Sequence, residues 1–263
     1  MTLGFSVNSL LHKARGGGQL RMGLNRLSEA EWLQPNPDLA ERADGFADWP
    51  EGVQLTPEVS APGRELAAML GVEGELPEAA LAAHEDMCLI TKADGDDQYR
   101  LIGAAVAWPS DWHPKEKIGL PLRALHAPIA GYEEQLATGV DRFMETLKPG
   151  AIYGRCNWFI AATGEKRWLA KGDPKDQFAH VTAENAGETL FVRSERQTLR
   201  RLPETGAILF TIGIYVEPFR GLDRSNRRNL ADAVQTLVQG EGERRGVGAY
   251  AEALIGYARA HER

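Results

Sequence analysis

Several features that mark common classes of protein are missing from this sequence. Its 263 residues include only two cysteines, Cys88 and Cys156, which form neither a disulfide framework nor a paired-cysteine metal site. Neither belongs to a Cys-x-x-Cys-His motif, and this excludes a covalently attached haem. No stretch has the length and apolar content of a membrane span or of a signal-peptide core. We therefore expect a protein of a reducing, cytoplasmic compartment.

An excess of positive charge is missing as well. The formal net charge is −7 at pH 7, which disfavours non-specific binding to nucleic acid or to an anionic membrane, since both require a basic face. The glycines of Gly16-Gly17-Gly18 lack the spacing of a phosphate-binding loop, and there is no His-Glu-x-x-His pair or nucleophile elbow. The remaining composition, 43% hydrophobic and 25% charged, is that of a globular protein.

The apolar pattern predicts an α+β fold with a five-stranded antiparallel sheet. The predicted strands are Met87–Thr91, Tyr99–Ala107, Ile152–Ala162, Leu190–Arg193 and Ala207–Val216. The first two are joined by a turn-rich segment and read as a hairpin. An amphipathic helix, Tyr132–Leu147, follows them. Two strands, a helix and three further strands are the order of a PAS-like domain.

Segments outside the predicted sheet read as helical extensions and connections. Residues 1–19 are expected to be a flexible lead-in that adds little to the core, and residues 20–263 a single PAS-like domain with N- and C-terminal helical extensions. Short helices are predicted from Ser28 to Leu33, with a capping box, and over Arg64–Leu70. The polar segment Thr163–Gly187 is predicted to be a loop or lid.

A charged segment between two apolar runs, within Leu190–Val216, is the most unusual part of the sequence. In one interpretation Ser194 caps a short helix, Glu195–Leu202, with Gln197 at the capping-box position, and Pro203 ends it. In the other interpretation the segment stays extended and a hairpin turn follows it. The sequence alone leaves both open.

Glu195 lies in this segment at the edge of a predicted sheet, among several arginines. A carboxylate there can be held charged and aimed, or can act as a proton donor if burial raises its pKa. The alternative is a glutamate that only stabilises a helix N-terminus. The arginines could bind carboxylates, or form local ion pairs on a solvated face. They are Arg193, Arg196, Arg200 and Arg201.

His126 stands in the apolar sequence Leu125-His126-Ala127-Pro128, where the proline stiffens the backbone. A neutral imidazole with a fixed direction is a good ligand for a metal or for haem iron. The alternative is a core histidine hydrogen-bonded to a carbonyl group. Lys117, in Lys117-Ile118-Gly119, belongs to the rigid segment that precedes it.

Two predicted strands carry further candidate side chains. Period-two alternation places Arg155 and Asn157 on one face, where they could line a polar pocket, and Trp158 on the other, where it would pack in the core. Tyr215 is either a pocket hydroxyl or an ordinary strand aromatic.

The sequence resembles the haem-dependent oxidative N-demethylases, specifically their haem-bearing alpha subunit, a PAS-fold protein. The longest and most specific match is the run Glu195-Arg196-Gln197-Thr198-Leu199-Arg200-Arg201-Leu202-Pro203. The other matching motifs, in the same order, are Arg21-Met22-Gly23-Leu24, Trp32-Leu33, Pro109-Ser110 with Trp112, Lys117-Ile118-Gly119, Leu125-His126-Ala127-Pro128, Arg155-Cys156-Asn157-Trp158 and Phe210-Thr211-Ile212.

The resemblance implies a b-type haem that activates O₂ to oxidise the N-methyl group of a small secondary amine such as dimethylamine. The products would be a primary amine and formaldehyde, and the electrons would come from NADPH through flavin and iron–sulfur groups on separate reductase subunits. It makes His126 the proximal iron ligand and Glu195 the distal group bonded to O₂ or substrate, with Arg155 near it. Tyr215 is a further candidate catalytic residue, and the candidate cofactor contacts are Lys117, Trp158, Arg193 and Arg196.

A second hypothesis comes from another class of protein. A PAS-like haem protein without catalytic activity could sense O₂ or redox state and signal through its helical extensions. No kinase, cyclase or DNA-binding segment is recognisable in the sequence, so signalling would require a partner. A haem-free binding relative is the third interpretation, and the sequence leaves homo-oligomerisation open.

Overall fold

The computed structural model describes residues 3–11, 21–93, 95–129, 131–169, 172–237, 242 and 245–261. In these residues the chain combines helices with a seven-stranded sheet, so the predicted α+β class is confirmed and the predicted count of five strands is wrong. The strands are β1 (Asn25–Leu27), β2 (Val53–Leu55), β3 (Asp86–Thr91), β4 (Arg100–Ala105), β5 (Ile152–Ala161), β6 (Phe191–Arg201) and β7 (Ile208–Pro218).

The strand order in the sheet is β1-β5-β6-β7-β3-β4-β2. The two strands that were not predicted, β1 and β2, stand at its ends. Each has only three residues, too few for an alternating apolar pattern to be recognised. They pair antiparallel with β5 and β4.

The α-helices of the described residues are mostly short. They are α1 (Val7–Leu10), α2 (Leu39–Ala47), α3 (Ser60–Met69), α4 (Leu76–Leu81), α5 (Pro114–Lys117), α6 (Leu122–His126), α7 (Thr138–Thr146), α8 (Pro174–Gln177), α9 (Ala186–Thr189), α10 (Arg224–Val234) and α11 (Val247–Ala260). No described helix combines the length and the apolarity that crossing a membrane would require.

The predicted hairpin of β3 and β4 is confirmed. The two strands pair antiparallel from Met87 opposite Ala105 to Thr91 opposite Arg100, with a register shift between Leu89 and Ile90. Strand β3 also pairs with β7. Because β3 has a neighbour on each side and is buried along most of its length, it reads as a continuous apolar run.

The charged segment is extended, so the helical interpretation of Glu195–Leu202 is wrong. Strand β6 continues to Arg201, and the turn to β7 is closed by the Leu202 N–H, which donates to the Ala207 carbonyl at 2.8 Å. Every residue from Val192 to Arg196 is buried. Ladder hydrogen bonds and this burial outweigh the local capping signal at Ser194.

Glu65 fixes the turn between β6 and β7. Its carboxylate accepts hydrogen bonds from the Glu204 N–H at 2.7 Å and from the Thr205 N–H at 2.8 Å. The Thr205 hydroxyl donates to the same carboxylate at 2.6 Å. Glu65 is 8% exposed. Its buried carboxylate therefore accepts hydrogen bonds from the backbone and side-chain donors of the turn.

Three predicted helices exist with different limits. The helix predicted over Tyr132–Leu147 starts as a π-helix, Glu133–Ala137, and becomes α-helical only in α7. The capping box at Ser28 is present, with the Ser28 N–H donating to Glu31 at 3.0 Å, but it begins a single 3₁₀ turn. The helix predicted from Arg64 begins earlier, as α3.

The N-terminal segment contributes to the core. Leu3, Val7, Leu10 and Leu11 are all buried, so the expectation that this segment adds little to the core is wrong for residues 3–11. Most of the remaining lead-in, 12–19, lies outside the described residues. The predicted loop Thr163–Gly187 contains α8 and the buried Phe178, whose ring lies 4.6 Å from that of Tyr250.

The chain divides into two compact units. Unit 1 comprises residues 1–3, 20–155 and 196–213, and unit 2 comprises 4–19, 156–195 and 214–263. A core of unit 1 is formed by Ile90, Leu101, Leu122, Met144 and Ile208, among other residues. In unit 2 the C-terminal helices α10 and α11 bury Leu230, Val234, Tyr250, Leu254 and Tyr257. A single domain over 20–263 stays a prediction.

Candidate functional site

His126 is the last residue of α6, a short helix that follows Pro121. Its Nδ1 lies 2.8 Å from the Leu122 carbonyl oxygen, one helical turn earlier. Because a carbonyl can only accept, Nδ1 must carry the proton, and the neutral ring then has its free lone pair on Nε2. Among the described residues Nε2 has no hydrogen-bond partner.

The surroundings of His126 keep its imidazole neutral. Burial is the main cause that lowers the pKa of His126, while the bond to Leu122 acts in the opposite direction. The positive charges of Lys117 and Arg155 lower the pKa further. Since neutral imidazole is the form that binds metals, the ring has the tautomer and the charge state of a ligand. The bond from His126 to the Leu122 carbonyl is also what the alternative, a core histidine, would show. That bond uses only one of the two ring nitrogens.

Unit 1 therefore brings three predicted site residues into one neighbourhood. Lys117 ends α5, and its Nζ donates to the Leu125 carbonyl at 3.3 Å, directly before His126 in the chain. Arg155 is a partly buried residue of β5. Both cations are close enough to His126 to shift its pKa.

In unit 2, Glu195 is a buried residue of β6 with 8% of its surface exposed. The side-chain amide of Asn157, on β5, donates to Glu195 Oε2 at 3.3 Å. This amide orients the carboxylate. That Asn157 lines a polar pocket stays a prediction. The interpretation in which Glu195 begins a helix is wrong, since it lies in a strand.

Arg193 and Arg196 are fully buried, and both donate to backbone carbonyls. Arg193 Nη1 donates to the Glu165 carbonyl at 3.3 Å, and Arg196 donates to the carbonyls of Glu31 and Trp32. Buried carbonyl groups of irregular segments need such donors. These contacts favour a structural role for both arginines, and their predicted role as cofactor contacts stays a prediction.

The remaining two predicted residues lie on β7 and β5. Tyr215 is buried, with 9% of its surface exposed. Trp158 is only partly buried, where a core position was expected. In the described part of the chain, no group of three or more His, Cys, Asp or Glu side chains is placed to hold a bare metal ion. The metal-ligand prediction therefore concerns a single histidine.

A family model described as "Haem-dependent oxidative N-demethylase, alpha subunit-like" matches residues 61–255. The chain belongs to this family. The matched range contains His126, Arg155 and Glu195, while the N-terminal motifs around Arg21 and Trp32 precede it. The family's name denotes haem-dependent oxidative chemistry by the alpha subunit of an enzyme that has further subunits.

His126 is the residue of this family member that best fits a haem iron. Iron bound by histidine requires an accessible nitrogen lone pair and benefits from a hydrogen bond at the other ring nitrogen, which fixes the tautomer. The bond from Nδ1 to the Leu122 carbonyl meets the second requirement, and the tautomer that it fixes leaves Nε2 unprotonated, with its lone pair available for a ligand bond. His126 therefore has the tautomer that a haem-iron ligand needs, and its role as that ligand stays a prediction.

Sequence reasoning missed two contacts of this site. The ring of Tyr132 stacks on His126, with the centroids 4.4 Å apart and the planes 10° apart, whereas the sequence assigned Tyr132 only to the start of a helix. The Leu122 carbonyl was missed because the helix α6 was not predicted. A signal was available, since Pro121 favours a helix start at this point. In such a helix, Leu122 lies one turn before His126, which is the spacing of their hydrogen bond.

Proposed function

We propose that this chain is the haem-bearing subunit of an oxygenase that N-demethylates a small secondary amine such as dimethylamine. In this proposal His126 holds a b-type haem through Nε2. When bound, the haem would supply the activation of O₂. The observation that carries the proposal is the free Nε2 of a neutral His126 with its tautomer fixed by Leu122.

Glu195 is the proposed catalytic carboxylate. A secondary amine is protonated at neutral pH, so a buried carboxylate can pair with the ammonium group and hold its proton. The amide of Asn157 keeps one carboxylate oxygen in place at 3.3 Å. Arg155 and Tyr215 are proposed as further polar groups of the reaction, Lys117 and Trp158 as cofactor contacts, and a PAS-like fold and a cytoplasmic location remain part of the proposal.

The proposed reaction needs electrons from outside the chain. One oxygen atom enters the N-methyl group, which leaves as formaldehyde, and the other oxygen atom becomes water, so each turnover consumes two electrons and two protons. Partner subunits with flavin and iron–sulfur groups, reduced by NADPH, are the proposed donors. The subunit term in the family name supports a multi-subunit enzyme.

Haem binding is tested by the absorption spectrum of the purified protein after reconstitution with haemin. We expect a Soret band in the wild type, its loss or shift in His126→Gly, and partial recovery when free imidazole is added to that variant. His180→Ala is the matched control, because His180 is an exposed histidine. A wild type that takes up no haemin, or an unchanged spectrum in His126→Gly, would overturn the proposal.

Catalysis is tested by formaldehyde release from dimethylamine with a chemical or enzymatic reductant. Glu195→Gln preserves the size of the side chain and removes its charge, and we expect turnover to fall about a hundredfold with the Soret band retained, the effect typical of a lost acid–base group. Unchanged turnover would remove Glu195 from the mechanism. A haem-loaded wild type that binds O₂ and releases no formaldehyde would favour the sensor hypothesis.

A further inference from the structure

The ring of Tyr132 covers one face of the His126 imidazole. The centroids are 4.4 Å apart and the planes differ by 10°. Tyr132 is 4% exposed and His126 is partly buried. Aromatic rings this close and this nearly parallel restrict each other's rotation.

Two constraints then act on one imidazole. The hydrogen bond from Nδ1 to the Leu122 carbonyl, 2.8 Å long, fixes the direction of one ring nitrogen. A single hydrogen bond still allows the ring to rotate about that direction, and the stacked ring of Tyr132 removes this freedom. Together they set the direction of Nε2 and the plane in which it lies.

The backbone between the two residues is built to bring them together. The Ile129 N–H donates to the His126 carbonyl at 2.9 Å, and the Tyr132 N–H donates to the Ile129 carbonyl at 3.1 Å. Gly131 has a φ of 78°, which other residues adopt at a cost. A Cβ atom at this position would lie 2.4 Å from the Gln135 side chain. These two turns and the glycine return the chain to His126.

The helices on both sides of this loop are tied together by Arg123, a residue of α6. Its Nη2 donates to Asp141 of α7 at 2.7 Å, and its Nη1 pairs with Glu133 at the start of the π-helix. π-Helical turns concentrate at functional sites. The ion pairs are partly exposed and contribute modestly to stability, but they hold the segment that carries Tyr132 against the helix that carries His126.

We infer that Tyr132 is a positioning residue that fixes the plane of the His126 imidazole through its ring, independently of its hydroxyl group. This inference rests on the proposed function for the identity of the group that Nε2 meets. The hydroxyl is buried and has no hydrogen-bond partner among the described residues, so removing it should leave the stack intact. The chain thereby offers a matched pair of variants, Tyr132→Phe and Tyr132→Leu.

The first measurement uses the protein without haem. In a ¹H–¹³C spectrum the ring protons of His126 should be shifted upfield by the Tyr132 ring current. The shift should persist in Tyr132→Phe and disappear in Tyr132→Leu. The second measurement uses the haem-loaded protein, with the rate of haem transfer to excess apomyoglobin and the low-spin ferric EPR spectrum, whose g values report the plane of the axial imidazole.

We expect haem loss about two- to tenfold faster in Tyr132→Leu, the fold-change that an aromatic pair typically produces, with altered g values. Tyr132→Phe should match the wild type in both. If Tyr132→Leu retains the wild-type rate and g values, or if Tyr132→Phe changes as much as Tyr132→Leu, this inference is overturned while haem binding by His126 stands. A wild type that binds no haem overturns the proposed function, and the inference falls with it.

Discussion

Substitution of Glu65 should destabilise the protein more than most single changes, because this one carboxylate serves three donors of the turn between β6 and β7. The donors are two backbone N–H groups, of Glu204 and Thr205, and the Thr205 hydroxyl, at 2.7, 2.8 and 2.6 Å. In Glu65→Ala the hydroxyl can rotate to another acceptor, but both N–H groups lose their partner. Each unpaired buried donor costs about 1–3 kcal/mol.

Partial access of water at this turn reduces the cost, so we expect Glu65→Ala to lower the free energy of unfolding by about 2–4 kcal/mol. Thr205→Ala removes only the hydroxyl contact and should cost about 1 kcal/mol. Urea unfolding followed by circular dichroism measures both, provided that the m-value is unchanged. Glu252→Ala, at an exposed position of α11, is the control and should stay within about 0.5 kcal/mol of the wild type. The reasoning fails if Glu65→Ala behaves like this control.

Three further predictions concern buried polar groups of unit 1. Thr198→Val should lower the free energy of unfolding by about 1–2 kcal/mol, because it leaves the buried Thr211 hydroxyl without its 2.6 Å partner. A double variant with Thr211→Val should recover part of this loss in the same urea assay. Arg42→Met should lower the free energy of unfolding by about 3–5 kcal/mol, since it leaves the buried carboxylate of Asp86, 2.7 Å from Arg42 Nη1, without its counter-ion. A smaller loss of stability in thermal unfolding would contradict this prediction. Burial raises the pKa of Glu85 to about 6 from a usual value of 4.5. The folded state therefore binds this proton more tightly than the unfolded state does, and stability is lost as pH rises from about 4.5 to about 6. Glu85→Gln should gain stability relative to the wild type over that interval, by about 2 kcal/mol, and a difference that does not change with pH would refute the assignment.

The sequence predicted the parts of the fold in which apolar pattern and tertiary environment agree. Strands β3 and β4 follow a continuous apolar pattern and are buried as that pattern requires. The capping-box signal at Ser194 was local, while the burial of Arg193, Glu195 and Arg196 in a long strand depends on the neighbouring strands β5 and β7, which lie outside that local window. A local pattern cannot report on such neighbours.

The same distinction applies to the candidate site. The stiff, apolar context of His126 was visible in the sequence, and it led to the prediction that this residue is a ligand. The hydrogen bond to Leu122 and the stack on Tyr132 depend on how α6 and the following loop fold, so the residue types alone did not predict these contacts. For Arg196, a cation in a charged segment suggested a bond to an anionic ligand, and the structure adds bonds from its guanidinium to the main-chain oxygens of Glu31 and Trp32.

The short strands β1 and β2 have a consequence for how the chain can associate with other proteins. They stand at the two ends of the strand order and have three residues each, so each edge offers few backbone groups to a strand of another chain. Along the stretches that they cover, β1 and β2 therefore leave little opportunity for edge-to-edge pairing with another chain. A partner of this chain should therefore bind through side chains rather than lengthen the sheet at β1 or β2.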